Sequence, residues 1–197
     1  MINDISKKLI PTGELRVGLN MSNFLLVNTK NSNDLPDGVS PDIGRKLAEE
    51  LNVNCKLVKF EKPGLLADAV NDNLWDIGNI ASEKERSKTI DFSEPYVNID
   101  ANFIFRNKDN FKSNDEINSP GIKIAVVERS AYDLWLTENF KKANLIKVNT
   151  IENSHKLFRV GEVDVLAGLK PKLTEELKNN DDFKIISNTF THIKPVY

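Results

Sequence analysis

Arg86 is the residue of this sequence best suited to grip a small anion. A guanidinium offers a rigid fork of donors that fits a carboxylate bidentately. Ser82-x-x-Glu85, just ahead of it, has the form of a capping box. A short helix is therefore expected to begin at Ser82 with Arg86 in its early turns, where the positive end of the helix dipole would add to the attraction. The plainer alternative is a surface arginine paired with Glu83 or Asp91, an arrangement that contributes under about 1 kcal/mol. Upstream, Gly78-Asn79-Ile80-Ala81 closes an apolar run whose backbone amides can face the same anion, and Asn79 can add a side-chain amide. Asn20, Asn23 and Phe24 lie in a polar stretch after an earlier apolar run, where they can wall a ligand and donate amides, although an aromatic in such a loop packs into a core about as readily. Lys170 suits a second anionic group, or else is a solvated helix start before Pro171.

Other chemistries find no support. His155 and His192 are far apart and have no cysteine or carboxylate at metal-ligand spacing, so no metal and no cofactor is expected. Neither a Gly-x-Ser-x-Gly elbow nor a Gly-x-x-x-x-Gly-Lys-Ser/Thr phosphate loop occurs. Net charge is −2 with 27 Lys and Arg spread along the chain, which offers no basic stripe to nucleic acid. No apolar stretch approaches the ~20 residues of a membrane span. Met1 to Leu9 lacks the basic and apolar regions of a secretory leader, so the chain is read as cytoplasmic or as a form whose leader has been removed. Cys55, the single cysteine, alternates with Val53 and Leu57 and reads as a buried strand position.

The elements that must carry these residues alternate between strand and helix. Strand Leu15 to Leu19, entered through Gly13, leads into the polar loop Asn20 to Gly38. Ser40-Pro41-Asp42 reads as a capped helix start, and Ile43, Leu47 and Leu51 follow at spacing four. Strand Val53 to Phe60, a helix opening at Pro63-Gly64 and strand Trp75 to Ile80 come next. Such alternation predicts a mostly parallel sheet flanked by helices. Val97 to Phe105 is expected to cross out of this lobe, with a polar boundary from Asn107 to Gly121. The alternation then restarts with strands Ile122 to Val127, Leu145 to Val148, Val163 to Leu166 and Phe183 to Ile186, and with helices capped by Ser130, running from Ser154 and starting near Pro171. The expected organisation is two α/β lobes, residues 1–106 with 188–197 and an inserted 107–187. Trp75 and Trp135, on apolar faces, are read as core.

The order of elements resembles the family 3 solute-binding proteins of bacterial ABC importers. The residues that carry the resemblance are Gly13-Glu14-Leu15-Arg16-Val17-Gly18, Asp42 with Leu47-Ala48-Glu49-Glu50-Leu51, Gly161-Glu162-Val163-Asp164-Val165 and above all the stretch from Glu85-Arg86 through Asp91-Phe92-Ser93-Glu94-Pro95-Tyr96. It implies a two-lobed type 2 periplasmic-binding fold and a periplasmic monomer that captures a small carboxylate-bearing solute, closes about hinges near Phe103 to Arg106 and Ile193 to Val196, and docks on an ABC permease. Arg86 takes the ligand-pairing position, and Ser130 with the Ala131 amide takes the hydroxyl position of the second lobe. Ala81 replaces a hydroxyl residue usual in the family. In the Gly168 to Lys170 segment, Leu169 stands where α-amino acid binders place an ammonium-pairing Asp, so the resemblance points to a carboxylate without an ammonium. Family members usually continue past Tyr197 with further elements, which this chain is expected to lack. A cyclohexadienyl dehydratase-like enzyme or a receptor's sensing domain on the same scaffold are the alternatives.

Overall fold

The structure, a computed structural model, describes residues 9–28, 35–178 and 180–197. The stretch read above for a leader, up to Lys8, and residues 29–34 of the long polar loop lie outside the described residues. The chain forms two compact units, Met1–Tyr96 with Pro195–Tyr197 and Val97–Lys194.

In the first unit, strands β1 (Glu14–Asn20), β2 (Asn54–Phe60), β3 (Ile77–Ala81) and β10 (Pro195–Val196) form a sheet in the order β10-β3-β1-β2. β1 is parallel to β2 and β3, and β10 is antiparallel to β3. Alternation along β1 puts Leu15, Val17 and Leu19 on one face, against helix α1 (Val39–Glu50), where Ala48 and Ile77 complete the core. α1 does not start at a Ser40 cap: Gly38, at φ +106°, precedes it, and Ser40 lies buried inside the first turn. Its deepest face is the small-residue row Pro41, Gly44 and Ala48, with Ile43 and Leu47 on the flank. A Cβ on Gly44 would stand 2.7 Å from Val17, so only a hydrogen lets helix and strand approach this closely. On the other face, helix α2 (Pro63–Asp68) contributes Leu66 against Trp75, whose indole N–H donates to the Leu66 carbonyl at 2.9 Å. Trp75 is thus core, as expected, whereas Cys55 is half-buried and burial raises its thiol pKa. Arg16 on β1 and the buried Asp76 ahead of β3 pair at 2.6 Å, clamping the two strands at their amino ends.

The second unit holds β4 (Ile99–Arg106), β5 (Lys123–Val127), β6 (Asn144–Val148), β7 (Val165–Leu169) and β8 (Phe183–Ile185) in the order β6-β5-β7-β4-β8, with β9 (Thr191–Ile193) also on β4. β5 runs parallel to β6 and β7, while β4 is antiparallel to β7, β8 and β9. Helices α5 (Ile151–Arg159) and α6 (Lys170–Lys178) cover one face, where Phe158 and Leu173 pack on Ile104 and Leu166. On the opposite face Phe103 stacks on Phe190 at 4.3 Å and meets Phe140 at 5.4 Å, with half-buried Trp135 of helix α4 (Ala131–Asn139) beside them. A short helix, α3 (Asn114–Ile117), precedes β5.

Phe103 to Arg106, expected to be a crossing, are interior residues of this sheet, paired with β7 and β8. The chain instead passes between units at Tyr96–Val97 and Lys194–Pro195, rather than at the expected 106/107 and 187/188. The physical reason is pairing: β4 is laddered to three strands of the second unit and to none of the first.

Candidate functional site

β1 and β3 are adjacent and parallel, with Leu19 opposite Asn79, so their carboxyl ends lie side by side. Open α/β sheets bind ligands at this edge. Asn20 shapes the first turn beyond it: its side-chain oxygen accepts from the Ser22 N–H at 3.2 Å and the Ser22 hydroxyl at 2.7 Å, and its carbonyl accepts from Asn23 N–H. The Asn23 carbonyl in turn caps Leu26 and Val27, while the buried Asn23 Oδ1 has no hydrogen-bond partner among the described residues. Phe24 keeps 38% of its surface exposed and is not core.

Arg86 is neither at a helix start nor on the surface. The segment after β3 forms only a single 3-10 turn, Arg86–Lys88, and neither Ser82 nor Glu85 caps it, so no α-helical dipole acts on the guanidinium. Arg86 is nonetheless 5% exposed, and its Nη1 donates to the Ala81 carbonyl at 2.9 Å. Ala81 contributes a backbone acceptor that fixes the fork at the carboxyl end of β3, a role that needs no hydroxyl. The same short turn is held by the Arg86 carbonyl, which accepts from Ile90 N–H at 3.0 Å.

Two other expectations for this unit change. Gly78 to Ala81 form an interior strand between β1 and β10, so their amides are directed at neighbouring strands and not outward at an anion. Gly78 packs closely, and a Cβ there would crowd the Trp75 ring at 3.3 Å. Asn79 is almost fully buried, and its amide donates to the Tyr96 hydroxyl. That hydroxyl also meets the Ser40 hydroxyl at 3.3 Å, Tyr197 donates to the Ser40 carbonyl, and the two tyrosine rings stack at 5.9 Å. Burial raises both phenol pKa values. This network of Ser40, Asn79, Tyr96 and Tyr197 was not found from the sequence, and no local spacing signals it.

In the second unit, parallel β5 and β7 likewise present their carboxyl ends at one edge. Ser130 caps α4 as expected, accepting from Asp133 N–H at 3.1 Å. Its one proton is committed to the Val127 carbonyl at 2.7 Å, so toward a ligand Ser130 can only accept. Beside it, buried Ala131 is the first helical residue, and its N–H has no partner within the helix. Asp133 holds the turn from behind. Its carboxylate accepts from Arg129 N–H at 2.7 Å, where Arg129 sits at φ +58°, and is matched by Lys147 at 2.9 Å.

Gly168 is a strand residue opposite Asn102, and a Cβ there would meet Leu173 at 3.1 Å, so the glycine admits α6. Leu169 is paired with Ala101. Lys170 is not a free cation: its ammonium lies 3.4 Å from Asp100 Oδ2, while Asp100 Oδ1 meets His192 Nδ1 at 3.0 Å. His155 is buried and bonded to Glu176 at 2.7 Å. Among the described residues no group of His, Cys, Asp and Glu could hold a metal, and no helix is long and apolar enough to cross a membrane.

The sequence model of the bacterial extracellular solute-binding proteins, family 3, matches residues 15–192. The L-arginine-binding protein of Pseudomonas aeruginosa is 26% identical over 149 residues, which cover 73% of this chain and 56% of that protein. The L-cystine-binding protein of Escherichia coli K12 is 25% identical over 158 residues, covering 78% of this chain and 59% of that protein. The chain thus spans less than two thirds of the length of these relatives. In fold it is similar to holo ArgBP from T. maritima, with a TM-score of 0.75 at 19% identity over 96% of this chain and 84% of that one. The fold is the type 2 periplasmic-binding fold, and by a family match that runs from β1 into β9 the chain belongs to the bacterial extracellular solute-binding proteins, family 3.

Proposed function

We propose that this chain is the ligand-capturing body of a solute receptor that serves an ABC importer outside the cytoplasm, and that its ligand is a small carboxylate-bearing solute, an amino acid or a relative of one. The observation that carries the reading is the Arg86 guanidinium, buried and oriented by the Ala81 carbonyl at the carboxyl end of β3. A fixed, desolvated fork binds a carboxylate more strongly than a mobile surface arginine, because neither side-chain ordering nor water removal is left to the moment of binding. Asn20, Asn23 and Phe24, which close and follow β1 at the same sheet edge, are proposed to line the ligand in the first unit, and the Ala131 amide is proposed as a donor in the second. The names of the L-arginine- and L-cystine-binding relatives place amino acids first among the solutes to try.

Binding is proposed to favour a closed arrangement by hinge motion at the two crossings, Tyr96–Val97 and Lys194–Pro195, in a monomer that a permease then recognises. No chemical step is proposed, and incubation with prephenate or arogenate should yield no aromatic product. The test is a thermal-shift and calorimetric screen over amino acids, keto acids and dicarboxylates with the wild type and Arg86→Ala. A ligand should raise the Tm of the wild type and leave Arg86→Ala, still folded by circular dichroism, unshifted. An equal shift in the variant would remove Arg86 from the site and with it this reading.

A further inference from the structure

Two tyrosines of the first unit form a clamp that the proposed function leaves without a task. Tyr96 is the last residue before the chain leaves this unit, and Tyr197 lies in the Pro195–Tyr197 segment that returns to it. Three bonds tie the returning segment to the departing one. Ser93 N–H donates to the Tyr197 carbonyl at 2.8 Å, Tyr197 N–H donates to Ser93 Oγ at 3.1 Å, and Tyr96 N–H donates to the Pro195 carbonyl at 3.3 Å. Pro195 and Val196 also pair with Ala81 and Ile80 of β3. The two tyrosine rings stack, and Tyr197 packs against the core that holds Leu15, Val17 and Leu19. Ring and backbone thus fasten the segment, and the Tyr197 hydroxyl makes a separate contact.

Both hydroxyls converge on Ser40, fully buried in the first turn of α1. Tyr197 donates to the Ser40 carbonyl, and the Tyr96 hydroxyl, which accepts from Asn79, meets the Ser40 hydroxyl at 3.3 Å. From Ser40 a run of backbone bonds leads to the turn after β1. Ser40 N–H donates to the Leu26 carbonyl at 3.0 Å, and the N–H groups of Leu26 and Val27 donate to the Asn23 carbonyl at 3.1 and 2.9 Å. Gly38 lets the two stretches lie close, since a Cβ there would stand 2.9 Å from the Leu26 carbonyl oxygen. Phe24 and Leu25, at the tip, are exposed. The bonds at the base therefore set where the tip points, and bonds in series strengthen one another, so that loosening the first loosens the rest.

We propose that Tyr197 is a positioning residue for ligand capture: through Ser40 and Leu26 its hydroxyl sets the turn that carries Asn20, Asn23 and Phe24. Tyr96 shares the task, holding the Ser40 hydroxyl while its ring supports that of Tyr197. The turn is therefore ordered by a segment more than 150 residues away in sequence, and not by its own residues alone. The assignment rests on the proposed function and deepens it by adding a residue that acts on the solute only through others. Preorganisation of this kind raises affinity by lowering the ordering cost met on binding, so it acts on different solutes by a similar factor.

Tyr197→Phe tests this, because it keeps the ring, the stack and the backbone bonds and removes only the donor to Ser40. Amide hydrogen exchange followed by NMR should show protection at Leu26, Val27 and Ser40 falling at least about fivefold, an increment of ~1 kcal/mol, and further than at the amides of β1 and β2. Gly18→Ala, which crowds Leu66 on the other face of the sheet, is the comparison: it should act most on the β1 and β2 amides and spare those three. In calorimetry over the standard amino acids, each one that binds the wild type should bind Tyr197→Phe at least about threefold more weakly, ~0.6 kcal/mol, and all by a similar factor. If protection at the three amides falls no further than at β1 and β2, or if affinity is unchanged beside a loosened turn, the assignment is overturned while the proposed function stands. If no amino acid and no carboxylate binds the wild type, the proposed function itself falls, and the exchange result still decides whether Tyr197 holds this turn.

Discussion

Asp133 offers a quantitative test of how the Ser130 turn is held. Replacing it with Ala removes a carboxylate with 2% side-chain exposure that accepts from Arg129 N–H at 2.7 Å, from the Thr137 hydroxyl at 3.2 Å and from Lys147 at 2.9 Å. The bond from the backbone amide is charge-assisted and its loss costs about 1.5–3 kcal/mol, and the bond from the hydroxyl adds about 1 kcal/mol. The Lys147 pair contributes less than about 1 kcal/mol, because the lysine is 38% exposed and regains water when its partner is removed. The capping bond into Ser130 uses the Asp133 backbone N–H and survives. A loss of about 3 kcal/mol follows, or roughly 15 °C in the melting of a unit of about 100 residues. Asp133→Asn keeps one acceptor for Arg129 N–H and should lose only about 1–2 kcal/mol. Trp135 lies on the same helix and Trp75 in the other unit, so fluorescence in a Trp75→Phe background follows the second unit alone. Urea and thermal melts in that background give both values. A loss below about 1 kcal/mol for Asp133→Ala, or equal losses for Ala and Asn, would refute the carboxylate's hold on the Arg129 turn.

Ser130→Ala should cost about 1 kcal/mol as a lost helix cap in the same melts, yet leave ligand affinity within about threefold, or ~0.6 kcal/mol, because the hydroxyl proton is spent on Val127; a much larger loss of affinity in calorimetry would show the hydroxyl reaching the ligand. Gly18→Ala would put a methyl group 2.5 Å from Leu66 and 3.1 Å from Trp75. It should therefore destabilise the first unit by about 1–3 kcal/mol in Trp75-detected urea unfolding, and an unchanged midpoint would contradict the packing. All three tyrosines, Tyr96, Tyr132 and Tyr197, have phenol pKa values raised by burial. Their folded pKa lies above the unfolded value of about 10, so their stabilisation is intact below pH ~10 and is lost as pH rises through the folded values. Phenolate absorbance should accordingly rise together with loss of circular dichroism, and phenols that titrate near pH 10 in a folded protein would count against it.

The alternation of strand and helix was legible because burial on a sheet face or a helix stripe imposes a period of two or of 3.6 residues on the sequence itself. Ser130 was legible for a similar reason, since a cap acts over three residues. The same local logic failed at Ser82 and Glu85, where a capping-box pattern precedes a single 3-10 turn, and at Ser40, buried inside the first turn of α1. At Ser40, which is fully buried and donates its amide to the Leu26 carbonyl, tertiary contacts override a propensity worth about 1 kcal/mol.

The α/β class and the family were readable from residue type and short spacing alone, because each is written into neighbours a few positions apart. Which side chains are already engaged, such as Asn79 with Tyr96 and the Ser130 proton with Val127, and the placing of β4 in the second unit emerge only when distant segments pack together. Hydrogen-bond and ion-pair partners are set by strand register, which joins Asp100 to His192 across the chain, and register is fixed by the packing of the whole sheet and not by any local pattern.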